Sequence, residues 1–232
     1  MSTVNEPELA DLDPFDLMAA EAIRIDTFYR ALAGGEDWLT PTRCAGWNRR
    51  DLLAHLAGVE DDTAARLAGA PLPASYVGES ALTKRAHLPD LGLLDEWRDG
   101  VDRNDTELRR RGPQAVFPGP GGAPYPLGRW AFYLASERAI HADDAGIPIG
   151  EAESGARLDW RLRFARSALT EQRNGQVGVV ADRGAQVVHL TGEFNGDVVR
   201  LPDDQFVEAV SGRLAPEADV PLHLRNALAV LS

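Results

Sequence analysis

The chain has 232 residues, 44% of them hydrophobic and 26% charged; that is enough for one large domain or a domain with a smaller companion, and it is unlike a disordered, collagenous or disulfide-stapled chain. The 36 Asp plus Glu against 24 Lys plus Arg give a net charge of -12, a surface that repels phosphate backbones and anionic lipid, so neither nucleic acid nor membrane is expected as a partner. The single cysteine, Cys44, excludes an intramolecular disulfide, a CxxC redox pair and a zinc site built on paired thiolates, and any metal must therefore rest on His, Glu and Asp.

The opening MSTVNEPELADLDPFD is acidic and has neither a basic n-region nor an apolar h-region, and no window approaches the roughly 18 apolar residues of a membrane span, so a cytoplasmic location is expected. Residues 1–12 read as a flexible tail. A helix is expected from Pro14 to Leu32, with Asp13 as N-cap, Pro14 at the permissive first position and Gly34-Gly35 as the stop. A second follows Trp47, where Asn48 can cap with Asp51 three residues on, and Leu52, Leu53, Leu56, Val59 and Leu67 keep helical spacing until Gly69 and the Pro71 to Pro73 stretch. A third runs from Asp90 to Arg111, with Leu94, Trp97, Val101 and Leu108 on one side. The Pro- and Gly-rich segment 117–126 reads as a break.

The fourth helix, Leu127 to Ala145, carries Leu127, Trp130, Leu134, Glu137 and His141 at alternating steps of three and four, which is one face of one helix. Beyond Gly146 the texture changes. A helix around Leu158 to Leu169 leads into β-branched runs separated by DRG and NGD, an antiparallel meander, and then to a last helix, Asp203 to Val210. The expected fold is α+β: a helical unit of four helices over residues 13–150, followed by a smaller α+β unit over 151–232.

Glu137 and His141 lie on the stripe that faces the core, where an ionised carboxylate is costly unless it is paired. A Glu-x-x-x-His spacing sets both side chains one turn apart on one face, as two ligands for a single cation. His55 faces inward on the second helix, between Leu52 and Val59. Two imidazoles and one carboxylate suit a divalent ion such as zinc and leave a fourth position open; the other reading of these residues is a set of hydrogen-bonded core side chains. Asp144, one turn past His141, either orients that imidazole or is a solvated helix-end acid. His87, His189 and His223 have no partner at ligand spacing. Cys44 reads as a small buried hydrophobe, with no local group to lower its pKa. GxSxG, GxxxxGK[ST] and GxGxxG are absent, so nothing supports a serine hydrolase of that type, a P-loop NTPase or a Rossmann dehydrogenase.

The run DWLTPTRCAGWNRRDLLAHLAGVE, residues 37–60, resembles the N-terminal signature of the mycothiol-dependent maleylpyruvate isomerase family, a branch of the DinB-like metal-binding four-helix bundles. Residues 130–146, WAFYLASERAIHADDAG, look like its second signature, and Ser211-Gly212-Arg213 is similar to the Gly-Arg segment of its C-terminal domain. The resemblance implies that His55, Glu137 and His141 bind zinc or another divalent metal, that Asp144 backs the site, that Trp47 packs beside it, and that Arg213 holds a substrate carboxylate as a bidentate donor, where the plain alternative is a surface arginine. It further implies mycothiol as a thiol cosubstrate and a small electrophile as substrate. Bound at the metal, the thiol becomes a thiolate and attacks the electrophile. With maleylpyruvate the adduct's carbon–carbon single bond rotates and loss of the thiol returns the trans isomer; with a leaving group or an epoxide the same site completes an S-transfer. A hydrolase or lyase using zinc-bound water and a non-catalytic metal-binding module are the alternatives, and the assembly is expected to be a monomer or a homodimer.

Overall fold

In the computed structural model, residues 7–32, 34–70, 78–119, 123–173, 176–191 and 196–231 are described. Asp13 starts the first helix, α1 (Pro14–Ala31), by accepting the backbone N–H groups of Phe15 and Asp16, with Pro14 in the first turn where its missing N–H costs nothing. Gly34 and Gly35 end that helix and open a single turn, α2 (Gly35–Trp38), which delivers Trp38 against the Tyr29 ring at 5.1 Å. Asn48 and Asp51 form a reciprocal capping box at the start of α3 (Arg49–Leu67). Asn48→Ala is expected to cost about 1 kcal/mol, read as a lower urea midpoint at an unchanged m-value.

A short helix, α4 (Gly78–Arg85), precedes α5 (Asp90–Arg111), whose Leu93, Leu94, Trp97, Val101 and Leu108 are buried. The Pro- and Gly-rich segment does more than break the chain: β1 (Val116–Pro118) pairs antiparallel with β2 (Pro124–Pro126), Phe117 opposite Tyr125. Strands of three residues are too short to show an alternation in sequence. α6 (Leu127–Asp144) follows directly. The expected stop at Pro71 to Pro73 and the middle of the 117–126 break lie outside the described residues.

The chain divides into two units, Asp13–Pro148 on one side and Ile149–Ser232 with the residues up to Leu12 on the other. In the first, α1 packs on α6 and on α5, and α3 on α5, around a core that includes Ile25, Tyr29, Leu52, Leu53, Leu94 and Trp97. α3 and α6 have few close backbone approaches and meet through side chains. In the second unit, residues 7–12 differ from the expected tail: Leu9 is buried, Arg163 donates to the Glu8 carbonyl and pairs with Asp11, and Arg166 pairs with Glu8 at 2.7 Å.

The helix that supplies those arginines, α7 (Glu151–Gln172), begins earlier than the sequence pattern indicates, because residues 151–156 are all exposed and carry no apolar periodicity. It leads into the sheet β3 (Val177–Ala181), β4 (Ala185–Leu190), β5 (Val198–Pro202), antiparallel in that order, with Val188 opposite Val199. Asp182 and Ala185 exchange backbone hydrogen bonds across Arg183 (φ +49°) and Gly184 (φ +77°), the two-residue turn whose central positions both need positive φ. Part of the NGD connection lies outside the described residues. Val188, Leu190, Val199 and Leu201 face inward to meet α8 (Asp203–Val210) and α9 (Leu222–Leu228). No helix among the described residues is long and apolar enough to cross a membrane.

Candidate metal centre

The site is built inside the first unit from α3, α6 and the loop between α2 and α3. Thr42 donates its hydroxyl to the Trp47 carbonyl at 2.9 Å and accepts the Cys44 N–H at 3.2 Å, while the Trp47 N–H bonds the Cys44 carbonyl at 3.0 Å. Gly46 takes φ +82° within that turn, a conformation cheap only for glycine. The turn sets the Trp47 ring 5.2 Å from the His55 ring. The same loop is tied to the end of α6, through the Arg43 N–H to the Asp144 carbonyl at 3.1 Å and Arg49 Nε to the Ala145 carbonyl at 3.0 Å.

Across the seam His55 Nε2 lies 3.0 Å and His141 Nε2 3.2 Å from the same Glu137 Oε1, and the two imidazole rings are 4.9 Å apart. The three ligand atoms lie within 4.8 Å of one another. His55 is fully buried and His141 nearly so, whereas the Glu137 side chain keeps 26% of its surface open, giving one side on which a small molecule can approach. Behind His141, the Asp144 carboxylate lies 3.1 Å from Nδ1, accepts the Cys44 thiol at 3.2 Å and has Arg43 Nε at 3.6 Å. With Nδ1–H given to Asp144, the Nε2 lone pair points towards Glu137.

The electrostatics follow from this crowding. Burial works against the charge of Glu137, but His141 and His55 outweigh it and hold the carboxyl well below the usual carboxylate range. Burial also works against a charged His141, but Glu137, Asp144 and Cys44 outweigh it and hold the imidazole well above its ordinary value. A lone pair and a carboxylate about 3 Å apart need positive charge between them, which a proton or a divalent cation can supply. Two imidazole nitrogens and one carboxylate oxygen are donors that fit such a cation.

The structure thus brings together His55, Glu137, His141, Asp144 and Trp47. Arg213 lies in the other unit, just past α8, its N–H on the Glu208 carbonyl at 2.7 Å. No spacing rule could have placed Cys44 beside this site, because its partner Asp144 is one hundred residues away. Cys44 is half-buried and touches polar groups, which corrects its reading as a plain hydrophobe.

A family model, the mycothiol maleylpyruvate isomerase N-terminal domain, matches residues 18–146, more than half of the chain. The chain belongs to the mycothiol maleylpyruvate isomerase family. Its fold is similar to the crystal structure of the mycothiol-dependent maleylpyruvate isomerase, with a TM-score of 0.64 and 17% identity over 90% of this chain and 93% of that one. A histidine-to-alanine mutant of that isomerase superposes with a TM-score of 0.63, at the same identity and coverage. At that identity the likeness is one of fold. No curated protein matches the sequence. The architecture of this family member is a mostly helical N-terminal unit followed by a small antiparallel sheet with its helices.

Proposed function

We propose that this protein is a zinc-dependent enzyme that uses a low-molecular-weight thiol, mycothiol, either to isomerise a small electrophile such as maleylpyruvate or to transfer the thiol sulfur onto such an electrophile. The observation that carries the reading is the convergence of His55 Nε2, His141 Nε2 and Glu137 Oε1 on one partly open point at the α3–α6 seam, in a chain of this family. Zinc, or another divalent cation, held by these three groups would supply the positive charge that keeps a coordinating thiol ionised at neutral pH.

The protein's own residues have separable tasks. His55 and His141 present imidazole nitrogens from two helices, and Glu137 adds the negative charge that raises affinity for a dication. Asp144 holds the Nδ1 proton of His141 and so fixes which nitrogen faces the seam. Cys44 gives its thiol hydrogen to Asp144 and is not the nucleophile. Arg213 is proposed as the donor that binds the substrate carboxylate, and Arg213→Ala is expected to raise KM for a dicarboxylic electrophile at least tenfold while zinc content stays unchanged.

The test of the reading is thermal unfolding of the zinc-loaded protein with and without mycothiol. A ligand at 100 times its Kd stabilises the native state by about 2.7 kcal/mol, so a clear rise in Tm is expected, lost in His55→Ala. A zinc-loaded protein that mycothiol leaves unmoved would exclude the thiol and favour an activated water as nucleophile. Asp144→Asn is expected to retain the fold and to weaken zinc binding about 10- to 100-fold, read by competition with a chromogenic chelator.

A further inference from the structure

From Leu127 to Ala142 every residue of α6 is buried except Trp130, Tyr133 and Glu137. These three are spaced by three and four, so the openings lie along a single line on an otherwise enclosed helix. Trp130 sits about 20° around α6 from Glu137 and about 10 Å along it. The facing stripe of α3 behaves alike: Val59, Asp62 and Arg66 are half-buried, and Arg66 lies about 20° around the helix from His55 and about 16 Å along it. The contacts confirm that the two stripes face each other, with His55 meeting Glu137 at one end and the Arg66 guanidinium 4.3 Å above the Trp130 ring at the other. A half-open groove therefore runs from the metal centre to Arg66 and Trp130.

The far end has the marks of a site held ready. Phe117 packs against Trp130 at 5.7 Å and Tyr133 stacks near it at 6.4 Å, which fixes the indole. Arg66 makes no hydrogen bond or close ion pair among the described residues, although most arginines of this acidic chain are paired, and both its Nε and the Trp130 Nε1 are buried without a partner. Asp62, one turn before Arg66, makes no hydrogen bond among the described residues either; its electrostatic neighbours are Arg66 and Asp61. A guanidinium and a carboxylate side by side largely cancel, so the groove has little net pull on an anion. Donors and acceptors that alternate on an aromatic floor suit vicinal hydroxyl groups, with ring C–H faces against the aromatics.

We infer that the groove lined by Asp62, Arg66, Trp130 and Tyr133 binds the hydroxyl-rich, sugar-bearing tail of the thiol whose sulfur is held at His55, Glu137 and His141. The inference rests on the thiol reading of that centre and adds the part of the molecule that selects among thiols. Mycothiol joins N-acetylcysteine to a glucosamine–inositol pseudodisaccharide, and two linked six-membered rings reach along such a groove where a simple cysteine derivative does not.

The experiment is titration calorimetry of the zinc-loaded full chain with three probes: mycothiol, N-acetylcysteine and the glucosamine–inositol pseudodisaccharide without its cysteine. Mycothiol is expected to bind at least tenfold more tightly than N-acetylcysteine. Arg66→Ala and Asp62→Ala are each expected to weaken mycothiol about tenfold, with zinc content and N-acetylcysteine affinity unchanged; Trp130→Leu, a second variant with its apolar bulk retained, is expected to do the same. Equal losses for both thiols, or mycothiol affinity unchanged in all three variants, would overturn the groove. If the wild type binds mycothiol and the pseudodisaccharide equally well and N-acetylcysteine not at all, the groove stands and the thiol reading of the metal centre falls. If it binds neither mycothiol nor the pseudodisaccharide, the groove falls whatever the metal centre holds.

Discussion

Purified without a metal-affinity tag, the wild-type protein is expected to carry about one zinc per chain and His141→Ala none. The size of the effect follows from the site's arrangement. His141 is one of the three proposed ligands, and Asp144, which its Nδ1 meets, also accepts the Cys44 thiol. Removing it leaves His55 and Glu137, one neutral and one charged ligand, and a carboxylate, Asp144, that is 0% exposed with its imidazole partner gone. Two ligands do not hold a divalent ion against a chelator, so the loss is expected to be complete and not partial. The pH dependence has a definite sign. The imidazoles must be free of protons at Nε2 to bind metal, and Glu137 and Asp144 hold His141 in its protonated form well above the ordinary histidine value. Zinc uptake at neutral pH therefore releases protons, and affinity falls as pH is lowered. Calorimetry in two buffers of different ionisation enthalpy reads the released protons directly. Full zinc occupancy in His141→Ala, or uptake without proton release, would show that the ion sits elsewhere.

α1 and α3 were legible because each has both a periodic apolar face and a chemical start signal, whereas α5 and α6, which lack a capping side chain, were legible from their apolar faces alone. Asp13 before Pro14 and Asn48 with Asp51 act through bonds within four residues, a range over which sequence and structure are nearly the same information. His55, Glu137 and His141 were legible as a set of inward polar residues for the same reason: two share a helix face and the third interrupts an apolar stripe. What lay beyond reach depends on contacts between distant residues. Cys44 meets Asp144 only because the turn at Gly46 folds the loop onto the end of α6. The Arg66 and Trp130 platform needs two helices brought side by side, and Trp130 read as one more core residue until its half-open setting was seen. The hairpin of β1 and β2, one turn of α2 and short α9 carry too few residues for any period to appear.

The Arg138→Met variant is expected to lose about 3–5 kcal/mol of stability. Arg138 is 2% exposed and ties the four long helices of the first unit together: Nη2 meets Glu60 Oε1 of α3 at 2.8 Å, the guanidinium clasps Asp105 of α5 at 3.0 and 3.1 Å, and Nη1 donates to the Met18 carbonyl of α1 at 3.0 Å. Asn104 holds the other Glu60 oxygen at 2.8 Å. Burial works against the charge of Arg138, yet Glu60 and Asp105 outweigh it and raise its pKa further. Deleting the cation strands a carboxylate, Glu60, that is itself only 2% exposed. The double variant Arg138→Met with Glu60→Met removes the two most buried charges and is expected to recover part of the loss, since apolar replacement of a buried pair is often neutral and Asp105, left without its cation, keeps 15% of its side chain open to water. Urea unfolding of the two variants checks this. The pair also fixes register, because Arg138 adjoins Glu137 while Glu60 lies on the helix of His55, so a one-turn slip of α6 against α3 breaks it. The double variant, though folded, is therefore expected to bind zinc more weakly than the wild type. Wild-type zinc affinity in a stable double variant would assign the network to stability alone, with the register of the metal centre set by the core around it.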